Sequence, residues 1–584
     1  MFIGPVFTRE MTTAPRREWT YIVRSVYAGL LLLLIVTAWL VVSGTQLITD
    51  TGDFARFGTM LFQFLAPVQL VLAVFFAAVI AAGTVGQEKE RGTLTLLLMT
   101  RMTNSELVLG KLFAGLLNIL SMLAVSIPIF TAMAMLGGVG YDQILQVMLV
   151  TLFSMLACGS LGSCVALRQE KTFQAIAVTI LLIVLWIGLW ESLPAAKPLS
   201  AVFSPWSAIV AASRPAADMT APAAAVSGLM IPFLTACGSL VIFINLIAVL
   251  FVRNWNMKNG EARIKEEPKD GEAKPLSQTS GNHLPHFPCF RFQRSRTRHV
   301  WNNPVIWREM MTAAYGRRIW IIQFGFLAFF AMCFWTLHNI VAENTIVTAA
   351  QLAAPMVPLF LLSLVLVNAQ AITSQTSEKD GGTFDLILAS DITPKEYVFG
   401  KLGGVFYNMK WIVMFPLTLC GYLYWYEALD SMSLFFLLIG LIVLYAFAAM
   451  VGVYIGMQYD NTRTATATSL GIMFFLFVGI AACIWIMIAF SGSFETQLVP
   501  FSAFMVGGGI GLYVTLGARN PSSAIATASF SLPIAVFYVI TSMLLGKYLL
   551  VFVVLCGAFG FTTAAMLIPS IAEFDVAAGR TTAD

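Results

Sequence analysis

Two short stretches hold the residues with the most chemical character. Glu88-Lys-Glu-Arg-Gly-Thr93 and Glu378-Lys-Asp-Gly-Gly-Thr383 each bring an acid, a lysine, a second acid, then glycine and threonine. The acids Glu88, Glu90, Glu378 and Asp380 suit pairing with basic or backbone donors, here expected on a partner. Gly92 and Gly382 permit a turn, and Thr93 and Thr383 can cap a short helix beyond it. That helix (Leu94, Leu96 to Leu98; Phe384, Leu386 to Leu388) is apolar enough to lie along a membrane surface. Thr103 with Glu106, and Thr393 with Glu396 behind Pro394, then have the spacing of a capping box that starts a long helix.

No catalytic set accompanies these motifs: the apolar segments hold no paired carboxylates, His-rich cluster or activated nucleophile. Nor does a phosphate loop occur, since Gly110-Lys111 and Gly400-Lys401 are each followed by leucine. His283, His286, Cys289 and His299 match no usual zinc spacing and lie among prolines, so they read as part of a solvated tether. No metal site and no nucleic-acid site is expected.

The elements that carry the motifs are membrane helices. The chain has 584 residues, 58% hydrophobic and 11% charged, where a soluble domain carries about 25% charged residues. Seven cysteines (Cys158, Cys164, Cys237, Cys333, Cys420, Cys483, Cys556) sit in apolar runs as small hydrophobes, not as a disulfide framework. The first apolar run, 21–42, is too long for a cleaved signal. Runs long enough to cross a bilayer fall near 21–44, 60–86, 107–136, 142–167, 173–192 and 229–252, then near 319–341, 351–376, 397–425, 432–457, 465–490 and 548–572. The expected fold is therefore all-α and polytopic, with about 12 transmembrane helices.

The chain repeats itself. Residues 88–118 and 378–408 share 13 of 31 positions without a gap, including Lys111/Lys401 and Asn118/Asn408. Pro5, Arg9, Glu10 and Met11 match Pro304, Arg308, Glu309 and Met310. Gly162 and Thr172 match Gly452 and Thr462, and Cys237-Gly238 matches Cys556-Gly557. Pro205, Ser207, Ala208 and Ile209 match Pro521, Ser523, Ala524 and Ile525. Three parts follow: a first six-helix half (1–253), a polar and largely disordered linker (254–303), and a second six-helix half (304–584). The extra apolar stretches 500–517 and 530–545 read as re-entrant or interfacial pieces on the outer side.

With the N-terminus inside, 29 of 34 Lys and Arg fall on the inner side, the others being Arg56, Lys197, Arg214, Arg519 and Lys547. Both termini and the linker are then cytoplasmic, and the halves run parallel about an axis along the membrane normal. The segments around Arg9-Glu10 and Arg308-Glu309 read as interfacial elbow helices, with Arg16, Arg17, Arg317 and Arg318 facing anionic headgroups.

A six-helix unit with an amphipathic elbow and a Glu-x-Glu-x-Gly-Thr loop after its second helix resembles the ABC-2 type transporter permeases. Glu88 to Thr93 fits that motif, Gly110-Lys111-Leu112 is also typical, and the second copy fits with Asp380 in place of the second Glu. The resemblance implies a fused pair of permease units that exports its substrate across a bacterial inner membrane. It implies that each loop is a coupling helix docking on a separate ABC ATP-binding subunit, present as two copies or a heterodimer. ATP and Mg would be bound by that subunit, with no cofactor in this chain. The rival reading is a secondary transporter driven by an ion gradient. It lacks midplane ionisable residues: Lys410 is read as snorkelling to the inner surface, and Asn118 and Asn408 as interhelical hydrogen-bond partners.

Overall fold

The computed structural model describes residues 5–13, 16, 18–45, 50–192, 200, 202–214, 224–266, 303–311, 319–343, 348–459, 461–489, 494–517 and 521–577. The described chain is all-α. In the first half, α1 (Pro5–Thr13) precedes α2 (Glu18–Thr45), α3 (Thr51–Glu90), the short α4 (Thr93–Leu98), α5 (Asn104–Leu136), α6 (Tyr141–Arg168), α7 (Thr172–Ser192), the short α8 (Pro205–Ser213) and α9 (Ala224–Glu266). The second half repeats the order as α10 (Pro304–Met311), α11 (Ile319–Glu343), α12 (Ala349–Asp380), α13 (Thr383–Leu388), α14 (Pro394–Asn408), α15 (Lys410–Trp425), α16 (Ser431–Gln458) and α17 (Thr462–Ala489). It then adds α18 (Phe494–Leu516) and α19 (Ser523–Leu544) before α20 (Tyr548–Ala577).

Twelve of these helices are long and apolar enough to cross a membrane. The number agrees with the sequence reading, but one member differs. The run expected at 397–425 is broken at Met409 into α14 and α15, while Ser523–Leu544 joins the twelve. At the break, Lys410 is exposed, with its ammonium 4.6 Å from the Tyr407 ring centre and 5.9 Å from that of Trp411. Its ammonium lies over aromatic rings at an exposed position. Asn118 is exposed too, whereas Asn408 donates mainly to Gly404 O of its own helix at 2.9 Å. The interhelical role expected for this pair is not found at Asn118.

The segments 500–517 and 530–545 are not interfacial pieces. They form an antiparallel hairpin, α18 against α19, that runs the depth of the bundle. Phe501 meets Phe537 near one end, with ring centres 5.3 Å apart, and Tyr513 meets Phe530 nearer the other, at 6.3 Å. The last carbonyl of α18, Leu516 O, accepts from Tyr454 Oη at 2.8 Å and from Gln458 Nε2 at 3.2 Å. Both donors lie at the end of α16 that also holds the 378–383 loop, because Lys379 donates to Met457 O. Glycines in α18 reflect this packing: a Cβ on Gly509 would lie 2.6 Å from Phe530 Cδ1. Small residues let membrane helices approach closely, so the glycine run marks a helix face rather than a loop.

The likeness of 205–209 to 521–525 is local, because both stretches open an N-capped helix. Ser204 accepts from Ser207 N at 3.4 Å and Ser522 from Ile525 N at 3.1 Å. The two starts lie at opposite ends of the bundle: α8 sits by Glu191 and Arg214, whereas α19 starts just after Leu516. The expected linker also begins later than 254, since α9 continues to Glu266 through good helix formers. Arg253 ties that helix to the start of α5, donating to Asn104 Oδ1 at 2.8 Å and Met102 O at 3.3 Å. His283, His286, Cys289 and His299, with Arg17, Arg317 and Arg318, lie outside the described residues.

Candidate functional site: the paired loops at one end of the bundle

Each repeated motif makes the expected glycine turn, but Thr93 and Thr383 do not cap the short helices: Gly92 and Gly382 hold the N-cap positions, without a side-chain cap bond. α3 ends at Glu90 and α12 at Asp380, and the chain turns through Gly92 (φ 77°) and Gly382 (φ 66°). Thr93 Oγ1 donates to Glu88 O at 3.1 Å, and Thr383 Oγ1 to Glu378 O at 3.2 Å. The six-residue helices α4 and α13 follow. Both capping boxes form. Glu106 N donates to Thr103 Oγ1 and Glu396 N to Thr393 Oγ1, each at 3.3 Å, and each glutamate accepts from its threonine's backbone N at 3.0 Å.

The carboxylates do not stand free for a partner; the chain itself holds them. Glu88 pairs with Lys111 of α5. Glu90 accepts from Lys171 Nζ at 3.2 Å and Thr172 Oγ1 at 2.8 Å, at the start of α7. In the second copy, Glu378 pairs with Arg308 and, at 2.7 Å, with Lys401 Nζ, and accepts from Tyr397 Oη at 3.1 Å. Asp380 accepts from Thr462 and from Arg91 at 3.0 Å. Each acid is thus a strut from the end of the second helix of its half to another helix. The signal for one strut was present in the sequence: both copies keep Glu and Lys 23 residues apart, Glu88/Lys111 and Glu378/Lys401.

The loops expose apolar residues beside Arg91, Arg101, Asp385 and Asp391. Leu96 is 65% exposed, Met99 76% and Leu386 72%, the first and last at equivalent repeat positions. Leu94 and Ile387 bury the opposite faces.

The elbow helices differ between halves. α10 packs its Val305 against Gly400 and its Glu309 against Gly404 of α14. Glu309 is buried and meets Lys401 Nζ at 2.7 Å and Arg308 at 3.1 Å. Burial opposes the Arg308 cation, but the Glu378 and Glu309 carboxylates outweigh it, so the guanidinium is held above its ordinary value. In α1, Arg9 is largely exposed and lies 3.6 Å from Glu10, while Phe7 packs edge-on against Phe113 of α5. Among the described residues no cluster of His, Cys, Asp and Glu could hold a metal ion.

The two loops meet across the halves. Arg91, beside Gly92, reaches Asp380, and Gln87 bonds Asn461. The chain has no match among curated proteins. Residues 16–254 match the family model described as ABC-2 family transporter protein. That stretch runs from ahead of α2 to the end of the first half's last crossing helix and includes the first loop with its struts. Over these residues, less than half of the chain, the protein is similar to the ABC-2 family transporter proteins.

Proposed function

We propose that this chain is the membrane permease of an ATP-driven exporter and that a separate ATP-binding subunit docks on α4 and α13. The observation that carries the reading is the pair of short helices at one end of the bundle, each entered through a left-handed glycine and tipped with exposed leucine. The end of the bundle holding them is then cytoplasmic, in keeping with the lysine and arginine skew of a bacterial inner-membrane protein. On this reading the partner touches Leu96, Met99 and Leu386, and the acids relay its movement: Glu88 and Glu378 to α5 and α14, Glu90 and Asp380 to α7 and α17. ATP-driven closure of the partner would move both tips and rock one half against the other.

The test replaces Leu96→Asp together with Leu386→Asp. Both side chains are exposed, so the expected chain inserts and unfolds at the parental temperature but no longer co-purifies with its ATP-binding subunit. Undiminished association would overturn the docking assignment.

A further inference from the structure

The two docking tips are built alike and charged oppositely. α4 and α13 each start after a left-handed glycine and run six residues. Their exits also match: Met99 N donates to Thr95 O at 3.2 Å and Ala389 N to Asp385 O at 3.1 Å. Thr100 N then donates to Leu97 O at 3.2 Å and Ser390 N to Ile387 O at 3.1 Å. Positions 290 residues apart therefore put their side chains in matching places. What stands there does not match. Arg101 corresponds to Asp391, Thr95 to Asp385 and Met99 to Ala389. Residues 91–106 carry a net charge of +1 and residues 381–396 one of −2. Lys395 runs against the trend, beside Glu396.

These charges are available to a partner. Arg101, Asp385 and Asp391 are exposed, and among the described residues none forms an ion pair with them. The acids deeper in each motif differ, since Glu88, Glu90, Glu378 and Asp380 are all held by the chain. The last helix of each half extends the contrast. Arg253 of α9 is exposed and donates to Met102 O at 3.3 Å, beside Arg101. In the second half, Phe574 of α20 packs edge-on against Phe384, ring centres 6.3 Å apart, with Asp575 next in the chain. Counted from the Cys237/Cys556 match, Ala572 takes the place of Arg253, and Glu573 and Asp575 those of Asn254 and Asn256. One tip is thus rimmed by arginine and the other by acids, around leucines at the same position.

We propose that the two ATP-binding protomers docking here are different chains. The one on α4 presents carboxylates around its apolar groove, and the one on α13 presents lysine or arginine. This rests on the docking reading of the two tips and adds to it the nature of the partners. Two copies of one chain would bring the same groove to both tips. Carboxylates that pair with Arg101 would then meet Asp391 at the equivalent point, and like charges brought together across an interface cost affinity. A groove shaped for Met99 would be left part-empty at Ala389, losing contacts there. Leu96 and Leu386 supply the common anchor, while the charges set which protomer goes where. Exposed charges act chiefly on specificity and association rate, which is what sorting two similar protomers needs.

The experiment uses the full chain in its native membranes, with photoreactive benzoylphenylalanine in place of Leu96 or of Leu386. After irradiation, the crosslinked peptides are identified by mass spectrometry. Position 96 should capture an ATP-binding chain through an acidic segment, and position 386 an ATP-binding chain of different sequence through a basic one. The exchange Arg101→Asp with Asp391→Arg leaves the net charge unchanged and breaks no ion pair. It should shift the ratio of the two chains captured at position 96 about tenfold toward the second. The same ATP-binding chain captured at both positions would overturn the proposal while upholding the docking reading. An unmoved ratio in the exchange variant would overturn it as well. Capture of no ATP-binding chain at either position would remove the docking reading and this proposal with it.

Discussion

The two loops share a backbone and differ in what anchors them. In the first half, Lys111 meets a Glu88 side chain that is 38% exposed, and Glu90 finds Lys171 within its own half. In the second, Lys401 is buried with Glu309 and Glu378, and Arg308 closes a four-residue network that reaches into the elbow. Position 461 holds Asn where the first copy has Lys171, so Asp380 takes its cation from Arg91 of the other half. Gly381 stands opposite Arg91 in the repeat and cannot return the contact. The difference teaches that a duplicated motif keeps its turn and caps, while the partners of its charges are free to diverge once the copies share one chain.

The largest test of this contrast is Lys401→Ala against Lys111→Ala. Removing Lys401 leaves two buried carboxylates to Arg308 alone, and losing one partner of a buried ion pair runs to about 3–5 kcal/mol. Removing Lys111 leaves one half-exposed carboxylate, worth about 1 kcal/mol or less. Thermal unfolding of each variant in nanodiscs should rank them clearly, and equal losses would erase the distinction between the networks.

The glycines should behave alike. Nothing lies within 4 Å of a Cβ added to Gly92 or Gly382, so only the positive φ opposes alanine. Gly92→Ala and Gly382→Ala should each cost about 1–2 kcal/mol, and a much larger loss in one copy would mean that its turn is held by more than backbone preference.

The smallest effect on stability is expected at Arg91, which is half exposed. Its readout is geometric instead. Cysteines placed at Gln87 and Asn461, whose side chains are hydrogen-bonded, should be joined by a short bifunctional thiol crosslinker in the resting chain. Arg91→Ala should lower the yield, and the exchange Arg91→Asp with Asp380→Arg should restore it. A yield indifferent to both changes would show that the cross-half pair positions nothing.

These tests separate what was legible in the residues from what was not. The glycine turns, both capping boxes and most of the long apolar helices follow from patterns a few residues wide, which local forces set. The partners of Glu90 and Asp380 lie at 171 and 172, and at 91 and 462, distances along the chain that no local pattern spans. Composition made α18 and α19 ambiguous for another reason. Beyond the short match at 521–525 they had no counterpart in the first half to align with, and their apolar runs alone did not separate a crossing helix from an interfacial one. The break at Met409 is marked by no proline at that position, and Pro416 lies beyond it within α15.

The added hairpin also bears on direction. A single extra crossing would reverse every element after it, sending α20 the wrong way and carrying Phe574 to the far end. Yet Phe574 packs against Tyr397, ring centres 4.7 Å apart, beside the second loop. Two crossings out and back leave the last helix pointing as its forerunner α9 does. An outbound and return pair is therefore the least that such a duplicated chain can gain mid-sequence without unmaking its own parallelism.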